Sequence, residues 1–299
     1  MADATLLITG GAGFTGRHLI EAANQKGYRC IAMVQHAGPE ATTACDTLIA
    51  DLLNPESLGH AILEVKPDYI VHLAAISFVA HGNTAEIYQV NQLGTINLLD
   101  AIRKNAPEIK KVLIASSANI YGNTTALPIT ESVPPAPVNH YGMSKVAMEL
   151  ATRLYADLPI VLSRPFNYTG CGQSPNFLIP KIVNAFKTSK RAIELGNLDV
   201  SRDFSDVRDV VAAYLRLLET HIAAPAYNVC SGIATSLLSV IEALNELAGY
   251  DVQVSINPDF IRSDEIKTLY GSPALLEAAI GSYRQYALTD TLAWMLAGE

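Results

Sequence analysis

The stretch TLLITGGAGFTGRHLIEAANQKG, Thr5 to Gly27, decides how the rest of the chain is read. Thr5 to Gly10 is a short apolar run of strand length, and from Phe14 onward the pattern is helical until Gly27 closes it. Between the two lie Gly10, Gly13 and Gly16, three residues apart. Glycines at such a turn let the backbone approach a pyrophosphate, while the helix N-terminus presents unsatisfied N–H groups to it. The spacing is G-x-x-G-x-x-G rather than the usual G-x-G-x-x-G fingerprint, and a tight turn alone would also use it. The setting, first strand to immediate helix, favours a dinucleotide.

Further along the chain the alternation repeats. YRCIAMV (Tyr28 to Val34) reads as a strand, and Pro55 to Lys66 as a helix capped by Asn54. Asp68 to Ala75 is a strand, Ala85 to Asn105 a long helix, and Lys111 to Ala118 a strand. A helix over about Tyr141 to Ala156 precedes a strand over Ile160 to Asn167. Strands this apolar are covered on both faces, and alternation with helices predicts an α/β, Rossmann-type doubly wound parallel sheet. After Asn167 the rhythm breaks into loops rich in Gly, Pro and Asn. We therefore expect a dinucleotide-binding domain over residues 1–166 and a smaller C-terminal substrate lobe over 167–299. Residues 200–230 should return to the first domain, near AYNVCSG (Ala226 to Gly232).

Composition narrows the function classes. The chain of 299 residues is 49% hydrophobic and 17% charged, which supports a large core and argues against disorder. A net charge of −8, with no dense basic patch, speaks against nucleic acid as a partner. No apolar window reaches the roughly 20 residues of a membrane span, and the start lacks the pattern of a signal peptide. Cys30, Cys45, Cys171 and Cys230 are scattered without C-x-x-C pairing, as reduced cytoplasmic thiols would be. The seven histidines show no H-E-x-x-H spacing, so no metal site is expected, and no G-x-S-x-G elbow points to a hydrolase.

Chemistry gathers in NHYGMSK (Asn139 to Lys145) and ASSANIYG (Ala115 to Gly122). Tyr141 and Lys145, four apart, share a helix face. A nearby ammonium favours the phenolate and should lower the phenol's pKa, making Tyr141 a usable acid or base at a carbonyl–alcohol centre. Ser116 and Ser117 end a strand, where open α/β sheets place ligands, and the Ser117 hydroxyl is set to polarise the same carbonyl. The strand ending in MVQHAG offers Gln35 and His36 but no carboxylate for a ribose and no close arginine for a 2′-phosphate. NADPH and NADH both stay open. Asp51 reads either as an adenine contact or as a turn residue.

Taken together, TGGAGFTG, VHLAA, YQVNQLGTINLL, SSANIYG, YGMSK, RPFNYTGCGQ, SRDFSDVRDV and YNVCSG resemble the extended short-chain dehydrogenase/reductase family of nucleotide-sugar epimerases, dehydratases and reductases. The likeness covers nearly the whole chain. It implies that Tyr141 handles a proton, that Lys145 holds the nicotinamide ribose and tunes the phenol, and that Ser117 orients the substrate oxygen. For the cofactor it implies Gly10, Gly13, Phe14, Thr15, Gly16, Gln35, Asp51, Leu52, Leu73, Ala74, Ala75 and Asn91 besides Tyr141 and Lys145. It also implies a cytoplasmic homodimer, joined in a four-helix bundle by the helices around Asn91–Arg103 and Tyr141–Tyr155.

Within the family, dehydratases carry an acid at the position of Asn119, and an amide cannot take up that proton. Glu131 sits where many relatives have an acidic loop residue, a position an exposed loop charge would equally fill. The downstream segments resemble the GDP-mannose branch. This implies NAD(P)H-dependent reduction of the C4 keto group of GDP-4-keto-6-deoxy-D-mannose, giving GDP-D-rhamnose or its 4-epimer GDP-6-deoxy-D-talose. Ser77, Asn119, Asn167, Lys181, Arg202, Arg262 and Glu265 would then contact the GDP-sugar, although Arg202 and Arg262 also read as surface ion-pair residues beside their acidic neighbours. Two alternatives stand beside it: a 4-epimerase that would use the same Ser117, Tyr141 and Lys145 with tightly bound NAD, and a non-catalytic dinucleotide sensor, a class that usually lacks the tyrosine or the lysine, both present here.

Overall fold

A computed structural model describes residues 4–36, 44–77, 82–221, 226–260 and 266–298. Its first half alternates as the hydrophobic pattern predicts: β1 (Thr5–Thr9), α1 (Phe14–Gln25), β2 (Arg29–Val34), β3 (Asp46–Ile49), α2 (Pro55–Val65), β4 (Tyr69–His72). Next come α3 (Thr84–Tyr88), a π turn (Gln89–Leu93), α4 (Gly94–Asn105), β5 (Lys111–Ala115), a 3-10 turn (Ala118–Tyr121), α5 (His140–Thr152) and β6 (Ile160–Pro165). The second half contains β7 (Asn167–Thr169), α6 (Leu178–Lys187), β8 (Ala192–Leu195), β9 (Ser201–Arg202), β10 (Phe204–Asp206), α7 (Val207–Glu219) and β11 (Ala226–Val229). It closes with β12 (Thr235–Ser236), α8 (Leu237–Ala248), β13 (Gln253–Ile256), β14 (Thr268–Leu269), α9 (Ala274–Ile280) and α10 (Leu288–Ala297).

Seven strands form one parallel sheet in the order β11-β6-β5-β4-β1-β2-β3. Side chains alternate along each strand, so β1 sends Leu6 and Ile8 into one core and Leu7 into the other. The first core lies under α1 and α7, through Leu19, Ile20, Val210 and Tyr214. The second lies under α2, α4 and α5, through Leu58, Ile62, Leu98, Ile102 and Met148. Burial on both faces explains the near-continuous apolar runs. A separate core, built from α6, α8, α10 and β8, belongs to the C-terminal part.

The chain reverses direction across the sheet between β1 and β4, which are adjacent strands. Connections leave in opposite directions there and open a crevice at the strands' C-terminal ends. Local signals start the helices that border it. Asn54 caps α2 by accepting from Ser57 N–H at 3.0 Å, and Asn139 caps α5 by accepting from Gly142 N–H at 2.8 Å.

Several boundaries differ from the sequence reading. β3 has no counterpart in it, because a four-residue edge strand with three of its residues exposed carries little hydrophobic signal. The strand expected over Asp68 to Ala75 ends at His72, and that over Ile160 to Asn167 breaks after Pro165. The helix expected over Ala85 to Asn105 is interrupted by the π turn around Asn91.

Candidate active site

Above the switch point lies a cavity of about 460 Å³. Its walls are the segments leaving the central strands: Gly10 to Gly16 after β1, Leu73 to Ser77 after β4, Ser116 to Asn119 after β5, and Pro165 to Phe177 at and beyond the end of β6, with Leu269 from β14. Of the sequence-derived candidates, Gly10, Gly13, Phe14, Thr15, Gly16, Leu73, Ala74, Ala75, Ser77, Ser117, Asn119, Tyr141, Lys145 and Asn167 line it.

The glycine loop has no room for side chains. A Cβ on Gly16 would stand 2.5 Å from Gly10 O and 2.6 Å from Gly11 O, and one on Gly10 only 2.9 Å from Ala74 N. Gly10 also has φ +68°, where L side chains are strained. Gly13 is the N-cap of α1 and supplies no side-chain cap, so the helix's first N–H groups stay available to an anion. A cradle shaped by missing Cβ atoms and ending in an uncapped helix fits a dinucleotide's pyrophosphate.

The next wall is held from behind. Thr9 Oγ1 accepts from Ala74 N–H at 3.1 Å and lies 2.6 Å from His72 Nδ1, while His72 Nε2 lies 2.9 Å from Thr95 Oγ1. Thr95 gives its own proton to Asn91 O, so it must accept from Nε2–H, and Nδ1 must accept from Thr9. Complete burial, with Lys145 close by, pushes His72 down to about 3 and keeps it neutral.

Asn91 does not line the cavity. It is buried behind it, where its side chain accepts from Ile76 N–H at 2.8 Å and donates to Ile76 O at 3.1 Å and to Ser144 Oγ at 3.0 Å. Ser144 donates in turn to Tyr141 O, so this amide joins the wall after β4 to the first turn of α5. Gln35 is exposed beyond β2, and Asp51 accepts from Leu53 N–H as a turn residue. Leu52 is buried against Gly94 in the core. Lys181 stands over the Phe260 ring at 4.1 Å, and Arg202 donates to Ser201 O and Lys267 O. None of these five is among the lining residues, while Arg262 and Glu265 lie outside the described residues.

Ser117, Tyr141 and Lys145 come together at the floor. Gly142 makes this possible: a Cβ there would sit 2.6 Å from Asn119 O, so only glycine lets the start of α5 press against the turn that carries Ser117. Lys145 turns its ammonium to Ala115 O at 2.8 Å, and burial pushes it down to about 8 although Glu149 acts the other way. The expected lowering of the Tyr141 pKa is reversed. Burial pushes the phenol up to about 12, more than the neighbouring Ser117 hydroxyl lowers it, and the Lys145 ammonium goes instead to the Ala115 carbonyl. A neutral phenol at pH 7 is a proton donor.

Sequence reasoning missed Pro165, Phe166, Tyr168, Gln173, Ser174, Phe177 and Leu269. The Tyr168 hydroxyl lies 2.8 Å from Thr15 Oγ1, which ties this wall to the glycine loop. A buried cluster supports the same wall. Arg164 meets both Glu149 oxygens, at 2.7 and 3.0 Å, and donates to Tyr121 OH at 2.9 Å. Tyr121 donates to Asn228 Oδ1, and Glu131 accepts from Asn228 N–H at 2.7 Å, so Glu131 is not merely an exposed loop charge.

The model of the NAD-dependent epimerase/dehydratase family matches residues 6–230, three-quarters of the chain and all four central walls. The chain belongs to this family. It is 38% identical over 278 residues to GDP-6-deoxy-D-talose 4-dehydrogenase of Aggregatibacter actinomycetemcomitans, covering 93% of this chain and 91% of that relative. It is 34% identical over 307 residues to GDP-6-deoxy-D-mannose reductase of Pseudomonas aeruginosa, covering 98% and 96%. Among solved structures, RMD from Pseudomonas aeruginosa complexed with NADPH superposes with a TM-score of 0.86 at 32% identity, covering 99% of this chain and 98% of that one.

Among the described residues, no helix is long and apolar enough to cross a membrane, and no group of three or more His, Cys, Asp or Glu converges on a metal site.

Proposed function

We propose that the protein is an NAD(P)H-dependent reductase of the C4 keto group of GDP-4-keto-6-deoxy-D-mannose. The product is GDP-D-rhamnose or, with the hydride on the other face, GDP-6-deoxy-D-talose. The observation that carries this reading is a buried Tyr141, its phenol pushed toward the neutral form by burial, beside Ser117 and Lys145 on the floor of a cavity whose rim is a pyrophosphate cradle. Similarity to enzymes named for both product sugars supports the GDP-6-deoxyhexose class.

Gly10 to Gly16 hold the diphosphate of the dinucleotide, and Leu73 to Ala75 form the wall beside it. The bound nicotinamide supplies the hydride that C4 receives. Ser117 donates a hydrogen bond to the keto oxygen, which strengthens as negative charge develops there, and Tyr141 delivers the proton. Lys145 fixes the ribose and lends positive potential to the floor. The substrate's nucleotide end lies toward Asn167.

The subunits pair through a four-helix bundle. Met143, Leu150 and Leu154 on and after α5 are 45, 51 and 77% exposed, an apolar stripe on the helix that carries the catalytic pair, and Leu93 on the neighbouring π turn is 47% exposed. A cytoplasmic location suits four cysteines none of which forms a disulfide.

The experiment is a coupled assay in which GDP-mannose and a 4,6-dehydratase generate the 4-keto sugar. NADPH or NADH loss is followed at about 340 nm for wild type and Tyr141→Phe, with C4 configuration read by NMR. A Tyr141→Phe rate at least about 100-fold below wild type is expected. A folded wild type that consumes neither cofactor would sink the proposal. Purification with tightly bound NAD and no net consumption would move the assignment to a 4-epimerase.

A further inference from the structure

Ser117 is the N-cap of the Ala118–Tyr121 turn, and its Oγ accepts from Asn119 twice: from the backbone N–H and from Nδ2, each at 3.2 Å. A serine hydroxyl has one proton and two lone pairs. With both lone pairs taken by one residue, the hydroxyl has donation left. Ser117 and Tyr141 both line the cavity floor, so that donation is available to an oxygen bound there.

We propose that Asn119 is a positioning residue that commits the Ser117 hydroxyl to donation, so that the keto oxygen meets two donors, Ser117 and Tyr141. The backbone enforces the arrangement, because α5 presses on Asn119 O where Gly142 has no side chain. A carboxylate at this position would invert it. Aspartate has the size of asparagine but accepts only, so it would draw the Ser117 proton away from the substrate. The inference rests on the keto-reductase reading.

The test is Asn119→Ala and Asn119→Asp, each in wild type and in Ser117→Ala, in the coupled reduction assay. Asn119→Ala keeps the backbone donor, so kcat should fall by about 10-fold, as when one neutral hydrogen bond of the network is lost. Asn119→Asp should fall by about 100-fold, the scale of removing one donor to a developing oxyanion, with NADPH affinity unchanged by fluorescence titration. In Ser117→Ala both substitutions should change kcat by less than about 2-fold, since their effect passes through that hydroxyl.

An Asn119→Asp enzyme as fast as Asn119→Ala, or losses undiminished without the Ser117 hydroxyl, would overturn the inference while leaving the reductase reading intact. If Asn119→Asp fails to bind NADPH, the alanine pair of the cycle decides alone. A wild type that turns over no 4-keto sugar removes both.

Discussion

The two long walls of the cavity are built in opposite ways. The glycine loop between β1 and α1 is shaped by what is missing. At Gly13 and Gly16 it closes on its own backbone within seven residues, at Gly10 it abuts the backbone of Ala74, and no side chain could be added to Gly16 without meeting a carbonyl. The wall after β6 is shaped by what is added. Tyr168 reaches a threonine 153 positions away, and Arg164 meets Glu149 on α5 and Tyr121 on the turn after Ser117. A wall made of backbone is rigid and tolerates nothing, whereas a wall made of side-chain pairs is graded and adjustable.

If that contrast holds, the largest effect should come from breaking the buried pair. Glu149→Leu leaves the Arg164 guanidinium enclosed without its carboxylate and should cost about 3–5 kcal/mol in urea unfolding. A loss below about 1 kcal/mol would mean that Tyr121 OH and Glu131 O satisfy the charge by themselves. Gly16→Ala comes next. NADPH affinity should weaken at least about 100-fold, or about 2.7 kcal/mol, because no flexible atom can move aside. Retention within about 5-fold of wild-type affinity would show that the loop is not the stiff element.

Third is a pH effect on the wall after β4. His72 is held below its ordinary 6.5, so between pH 6.5 and about 3 the unfolded chain takes a proton that the native state refuses. The stability it contributes is full above pH 6.5 and drains as pH falls, by up to about 1.4 kcal/mol per unit. His72→Asn should flatten that acid limb in urea titrations, and an unchanged slope would locate the acid sensitivity elsewhere. Smallest is Tyr168→Phe, which removes one hydrogen bond to Thr15. NADPH Kd should rise only about 2- to 10-fold. A rise of about 100-fold would put Tyr168 on the cofactor itself and erase the distinction between the walls.

The difference between the walls is also why one was legible before the fold and the other was not. Glycines three apart after an apolar strand carry their meaning locally, and so do Asn54 and Asn139 as caps. Tyr141 and Lys145 were visible as a pair because a helix period puts them on one face. Nothing local marks Tyr168, Gln173 or Phe177, which become wall residues only when β6 ends beside β5. Asn91 misled for the same reason: its segment pointed to the cofactor, but a buried amide takes whatever partners the fold supplies, here Ile76 and Ser144.

Residue size, polarity and short-range periodicity were enough to read the alternation of strands and helices, the parallel sheet covered on both faces, the glycine cradle and the serine–tyrosine–lysine set. Each of these is written in a short stretch of chain. How the set is tuned came from the packed molecule alone. At both Tyr141 and Lys145 burial outweighs the neighbouring groups, so the phenol rises and the ammonium falls, each toward its neutral form. Desolvation depends on what surrounds a group from all sides, and that is a property of packing, which no stretch of chain carries alone.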